Sequence, residues 1–497
     1  MFSHTLHILS LYHLTYLKSV GDVHKPPMLG NFEPSLGDGI LTVHWATSSL
    51  MRNRYETVDE LGTNLRPIAF ILATNRSFNI QAFCKSLHLS LEGSQLPKKI
   101  QQSRLMHLYL ASSKPHQILL PDEYQNSLIL HSLPFDEVQS NNIGSSRKRQ
   151  VELAEVACLD LIEPILIVLD DDLTFEALTI EDGHPIKSYP FSYVHEVYLF
   201  EKNHPCDVAL GGVTGAPPLP ATSCMKTFLQ DFLNVQSTSN TTIERWNDPD
   251  YYYDLSETRS CWKTWPTMSA NNESPSVQRA MNQMFHSGSE NRPLVYIPST
   301  EVPQPRIVRG GNTVVFNPQY LFNIDHPNLP RRGDSIWSIL AKEQEASILE
   351  FPFPLYHTRT LDMSIASMQK KPFRESLKDR MNHDLLGAAM QRAMLDNSEI
   401  LPFYTGRIGR QLRLIEECME LLCSAKKIID DGSKKNGYWA MNTEDQDAFV
   451  AIATTILSPL KDELKRKMDM AQKAAEEAML LIKSMRHDAQ KVKVRPW

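Results

Sequence analysis

Asp170, Asp171 and Asp172 stand side by side directly after the apolar run Ile165-Leu166-Ile167-Val168-Leu169. Three carboxylates at the tip of a buried strand repel one another, and a divalent cation is one way to relieve that repulsion. Mg²⁺ or Mn²⁺ takes one or two carboxylates and fills its other positions with phosphate oxygens and water. The triplet therefore points to phosphate chemistry, with a solvated acidic turn as the plain alternative. Gly310-Gly311 and Asp334 are further residues whose types admit a plain structural reading. Paired glycines permit a tight bend or a close approach to a ligand. Asp334, within Arg331-Arg332-Gly333-Asp334-Ser335, fits a helix N-cap, a general base, or both. Trp337 is expected in the core, and Gly211-Gly212-Val213-Thr214-Gly215, which lacks the Lys-Ser/Thr of a P-loop, in a loop beside the site.

The elements that must hold these residues follow from apolar periodicity. Ile68 to Ala73 is a short buried strand ending in Thr74-Asn75-Arg76, and residues 78–91 continue as a helix. Residues 105–113 and 126–134 read as further strands. Residues 145–162 form an amphipathic helix with Val151, Ala154, Val156, Ala157 and Leu161 near one face, running into the strand that carries the triplet. That strand's unbroken apolarity predicts cover on both faces, as in a mostly parallel sheet. Strands alternating with helices over 66–175 predict a Rossmann-like α/β layer. From about residue 362 the pattern turns helical, and Leu464, Met468, Ala471, Ala475, Ala478, Ile482 and Met485 repeat in a 4-3-4-3 stripe. An intramolecular hairpin and a coiled-coil oligomer both satisfy that stripe. The division is thus 1–60 as an N-terminal extension, 61–360 as the α/β domain and 361–497 as a helical region.

The whole chain sets outer bounds. With 497 residues, 42% hydrophobic and 22% charged, it can bury a sizeable core. A formal charge of −7 argues against nucleic acid as the main partner. It does not argue against a nucleotide, for which a bound cation supplies positive charge locally. The seven cysteines are scattered with no C-x-x-C spacing, which predicts reduced thiols in a cytoplasmic protein. The first twenty residues carry three histidines but no basic lead-in, and no signal peptide is expected. No apolar run reaches the roughly 18 residues that a membrane span needs.

The order of these segments resembles glycosyltransferases of the GT-A fold, particularly the family-2-like group. Ala73-Thr74-Asn75-Arg76 is similar to that family's first-strand turn, and Gly144 through Gln150 to its Arg-bearing helix before the metal strand. Ile165 to Leu173 resembles the metal strand itself, and Arg309-Gly310-Gly311-Asn312 with Arg331-Arg332-Gly333-Asp334 the later donor and catalytic segments. The likeness covers about residues 66–360. It implies an α/β GT-A (Rossmann-like) nucleotide-diphospho-sugar transferase domain that moves a sugar to a carbohydrate or other hydroxyl acceptor. By that resemblance Asp170 and Asp172 form the D-x-D pair for Mn²⁺ or Mg²⁺, with His357 a further metal contact. Thr74, Asn75, Arg76, Arg147, Gly310, Gly311 and Asn312 would face the nucleotide sugar. Asp334 would be the base, and a single base on the acceptor side implies inversion. The family commonly has paired acids where this chain has Asp334 alone.

Two other readings stay open. Asp170 to Thr174 also resembles the D-x-D-x-T of haloacid-dehalogenase-like phosphohydrolases, which should show a later G-D-x-x-x-D; here Ser338 falls where that second acid belongs. The chain also fits a non-catalytic, transferase-like subunit that binds a sugar nucleotide and assembles through its C-terminal helices.

Overall fold

A computed structural model describes residues 65–74, 77–92, 105–112, 120, 124, 128–134, 143–181, 184–215, 226, 229–230, 233, 262–264, 294–296, 302–305, 311–327, 332–357, 373–433 and 457–491. The chain is a mixed α/β protein. Strand β1 (Ile68–Ala73) leads through helix α1 (Ser77–Leu91) to β2 (Met106–Ser112), then β3 (Ile129–Pro134), helix α2 (Ile143–Asp160) and β4 (Ile165–Leu169). β3, β2, β1 and β4 lie in that spatial order, all parallel. The chain grows outward from β1 to β3 and then returns to add β4 on the other side. The carboxyl ends of β1 and β4 therefore flank the point where strand order reverses, where open α/β sheets bind ligands.

The expected cover on both faces is present. Along β1, Ile68, Phe70 and Leu72 join one apolar cluster, while Ala69 and Ile71 join the other. Alternation of side chains across the pleat thus makes both faces core, and a continuous apolar run results. In α2, Leu153, Ala154 and Ala157 are fully buried, with Val151 and Val156, and Leu161 just past the helix end, at the margin.

Beyond β4 the sheet turns mixed. Short strands β5 (Leu173–Thr174), β6 (Ala177–Glu181) and β7 (His184–Ser188) follow the triplet, and β6 and β7 form a separate hairpin. Helix α3 (Tyr193–Asn203) leads to β8 (Val208–Gly215), and β9 (Trp262–Thr264) and β10 (Leu294–Tyr296) extend the sheet edge. The segment Gly211–Gly215, expected as a loop, is the second half of strand β8. Its glycines make room for neighbours: a Cβ on Gly211 would lie 2.3 Å from the Asn312 amide nitrogen, and Gly215, at φ +81°, faces the Tyr356 ring.

β11 (Asn312–Val315) runs antiparallel between β4 and β8. A short helix α4 (Gln319–Phe322) precedes α5 (Gly333–Glu343), and β12 (Ile348–His357) pairs parallel with β8. The register of β12 shifts between Phe351 and Leu355, across Pro352 and Pro354, which have no N–H to give the ladder. After this bulge β12 also pairs antiparallel with β5, which sets His357 opposite Leu173. Phe175 anchors that region from behind, edge-on to Phe70, Phe83 and Tyr193 at 5.7, 5.1 and 5.3 Å.

Four long helices follow: α6 (Phe373–Asp396), α7 (Ile400–Ser433), α8 (Ser458–Asp469) and α9 (Ala471–Lys491). Their apolar faces join the cluster beneath α2 and α5. Leu464, Ala471, Ala475, Ala478 and Ile482 of the 4-3-4-3 stripe are buried in this cluster, with Met468 and Met485 at its edge. α8 and α9 pack on α7, and α9 also on α6, so this stripe has partners within the chain. Small alanines allow that close approach. Cys84, Cys158, Cys206, Cys418 and Cys423 form no disulfide, and burial pushes the Cys84 and Cys418 thiols up to about 12. Among the described residues no helix is long and apolar enough to cross a membrane.

Candidate active site

The register of β4 fixes the triplet. Leu169 pairs with Asn312, so the next residues, Asp170 and Gly311, meet across the strands, and the Asp170 N–H donates to the Gly311 carbonyl at 2.9 Å. A Cβ on Gly311 would lie 2.0 Å from Asp170 Oδ2. Glycine is therefore needed here to seat the Asp170 carboxylate, which is a demand from within the chain. Gly310, Asn75 and Arg76 lie outside the described residues.

The three carboxylates diverge, each to its own partner. Asp170 Oδ1 lies 2.5 Å from Arg147 Nη2. Asp171 Oδ2 accepts from the Thr74 hydroxyl and from Asn79 Nδ2, the latter at 3.1 Å, which ties the end of β4 to the start of α1. Asp172 Oδ2 lies 3.2 Å from His357 Nε2. Mutual repulsion within the triplet is thus met locally by a cation, by neutral donors and by an imidazole.

Arg147 is the hub. Its Nε and Nη2 grip Asp334 bidentately at 2.9 and 3.0 Å, while Nη1 donates to Gln150 Oε1 at 2.8 Å. Gln150 Nε2 in turn donates to the Leu169 carbonyl at 2.8 Å, which locks the guanidinium to the tip of β4. Arg147 and Gln150 are three apart on α2 and so share a face. Burial alone would disfavour the Arg147 charge, but Asp170 and Asp334 outweigh it and hold its pKa above the ordinary arginine value.

Asp334 is carried by the first turn of α5. The N-cap position is taken by Arg332 in a left-handed conformation (φ 66°), with no side-chain cap bond. Asp334 therefore is not the cap; its carboxylate reaches Arg147 and, at 2.9 Å from Oδ1, His326 Nε2. A negative charge in a first helical turn is also favoured by the helix dipole. Arg332 reaches sideways to Gln391 of α6 at 3.1 Å. Trp337, on the same helix, is fully buried.

Asn312 is not presented to the triplet. Its side chain is buried, accepts from the Tyr193 hydroxyl and donates to the carbonyls of Gly212 and Phe353 at 3.2 and 3.3 Å. It therefore stitches β8, β11, β12 and α3 together. The sequence does not mark His326, Gln150 or Asn79 as site residues. Only Gln150, at helical spacing from Arg147, leaves a readable signal.

The expected cation ligands can be tested on this geometry. Two neighbouring ligands of an octahedral ion at about 2.1 Å lie about 3 Å apart, close to the 3.2 Å between Asp172 Oδ2 and His357 Nε2. Asp170 is engaged by Arg147 instead. Among the described residues no group of three or more His, Cys, Asp and Glu converges on one point. A hard ion that keeps water and takes phosphate oxygens needs only one or two protein ligands. No protein-family model matches the chain, and no curated protein matches it.

Proposed function

We propose that this chain is a glycosyltransferase of GT-A type, moving a sugar from a nucleoside-diphosphate donor to an acceptor hydroxyl with inversion. The observation that carries the reading is the meeting of Asp170, Arg147 and Asp334, with Asp172 and His357 beside them, at the carboxyl ends of β1 and β4. The parallel order β3-β2-β1-β4, followed by the antiparallel insertion of β11, supports it.

Asp172 and His357 would hold Mn²⁺ or Mg²⁺, which supplies positive charge to the diphosphate as a Lewis acid and template. The chain's own residues do the rest. Arg147, fixed by Gln150, offers a planar oxyanion-matching fork beside the donor. Asp170 orients Arg147 and would contact the ribose of a bound nucleotide. Asp334, held by Arg147, would accept the proton of the acceptor hydroxyl. Thr74 and Asn79 hold Asp171, and through it the turn, in place.

The phosphohydrolase alternative gains nothing from the geometry. Asp170 is ion-paired, and Ser338, at the position of the missing second acid, donates to the Asp334 carbonyl at 3.0 Å.

Purified protein incubated with Mn²⁺ and a panel of UDP-, GDP-, CDP- and dTDP-sugars should release nucleoside diphosphate slowly from one donor class. Asp172→Asn should cut that release at least about 100-fold. Stabilisation by a donor without any release would favour the binding-subunit reading, and full activity in Asp172→Asn would remove the metal assignment.

A further inference from the structure

His326 precedes Asp334 by eight residues, and its side chain is 3% exposed. Its Nδ1 lies 3.2 Å from the Pro327 carbonyl oxygen, a group that only accepts, so Nδ1 carries a proton. Its Nε2 lies 2.9 Å from Asp334 Oδ1, and a hydrogen bond there needs a second proton, which rests on Nε2 because an imidazole is more basic than a carboxylate. The pair therefore holds one proton more than a neutral imidazole beside a free carboxylate. The backbone is shaped around this contact: a Cβ on Gly333 would lie 2.8 Å from His326 Cε1 and 3.0 Å from the Pro327 oxygen. Other charged groups surround the pair. Arg147 from α2 grips the opposite side of Asp334, and Asp170 stands beyond it at the end of β4. Arg332 caps α5, and Asp325 is the chain neighbour of His326.

We propose that His326 and Asp334 titrate as one unit, and that the proton between Nε2 and Oδ1 must leave before Asp334 can act as the base. The catalytic half of this proposal rests on the glycosyltransferase reading; the shared proton does not. In the armed form the imidazole is neutral with its proton on Nδ1, and Asp334 keeps its full charge. As the acceptor O–H bond breaks, its proton passes to Asp334 and its electron pair forms the bond to the anomeric carbon. The pair of the broken glycosyl–phosphate bond leaves on the diphosphate, and the captured proton stays on the His326–Asp334 pair. His326 is thus a positioning residue that sets when Asp334 is basic. Activity should fall as pH drops through the apparent pKa of the pair.

Ring-¹⁵N histidine NMR on the full chain without substrate reads the first half, with the His326 signal assigned by its loss in His326→Gln. The expected result is a doubly protonated ring in mildly acidic solution whose titration falls by about one pH unit or more in Asp334→Asn. A singly protonated ring there, or a titration indifferent to Asp334→Asn, overturns the proposal whether or not any sugar nucleotide is a substrate. With an active donor, His326→Gln keeps an N–H toward Oδ1 but cannot titrate. The acidic limb of its kcat/KM profile should move down by about one pH unit or more, and an unmoved limb overturns the arming role.

Discussion

Arg147 depends on two acids for its charge, and both acids depend on it. Removing one partner from a buried ionic group leaves the others uncompensated, at a cost of about 3–5 kcal/mol. Asp170 is part-exposed and Asp334 keeps His326, so Arg147→Met should cost about 3 kcal/mol in urea denaturation, the lower end of that range. Arg147→Lys should recover only part of that loss, since an ammonium cannot reproduce the fork to Asp334. Gly311→Ala tests the seat of Asp170: its Cβ would collide with the carboxylate at 2.0 Å. Mn²⁺-dependent nucleoside-diphosphate binding should weaken about 10–100-fold by calorimetry, the usual effect of disturbing a positioning group behind a site, since Asp170 orients Arg147. At this scale the triplet was readable because its members are adjacent and follow an apolar strand. Arg147 and Asp334 were readable as separate candidates but not as partners, because they meet only after the chain folds, and no local period announces His326. The three acids also part company on folding, which adjacency alone could not reveal.

Elements bring those residues together through register. β4 sets Asp170 against Gly311, and the bulge of β12 at its two prolines swings His357 toward Asp172. Asn312 fastens the junction of three strands, with Gly211 clearing space for its amide. Gly211→Ala should therefore cost about 1–3 kcal/mol as an overpacked core change, seen as a lowered melting temperature. Tyr193→Phe deprives the Asn312 carbonyl of its buried donor, which should cost about 1–3 kcal/mol in the same assay. β1, β2 and β4 were legible from apolar runs, since burial on both faces leaves a continuous signature. β8 was not, because the glycines that fit it against Asn312 and Tyr356 imitate a loop in sequence.

At the scale of the whole molecule, one apolar cluster runs from the sheet face through α2 and α5 into the C-terminal helices. The helical region therefore supports the platform that presents Arg147 and Asp334, and Arg332 touches it directly through Gln391. The alanine-rich stripe was legible as a packing surface, while its partner was not, because periodicity does not distinguish a neighbour in the same chain from a second copy. Ile482→Ala removes a buried side chain from that contact and should cost about 2–4 kcal/mol in chemical denaturation. The central claim is that Asp172 and His357 jointly create a cation-dependent diphosphate site at the tip of β4. Calorimetric titration of nucleoside diphosphates with and without Mn²⁺ tests it most directly, on the wild-type chain and on His357→Ala. The account predicts binding only with Mn²⁺, weakened about 10-fold or more in the variant. Equal binding without the cation, or unchanged binding in His357→Ala, would contradict it.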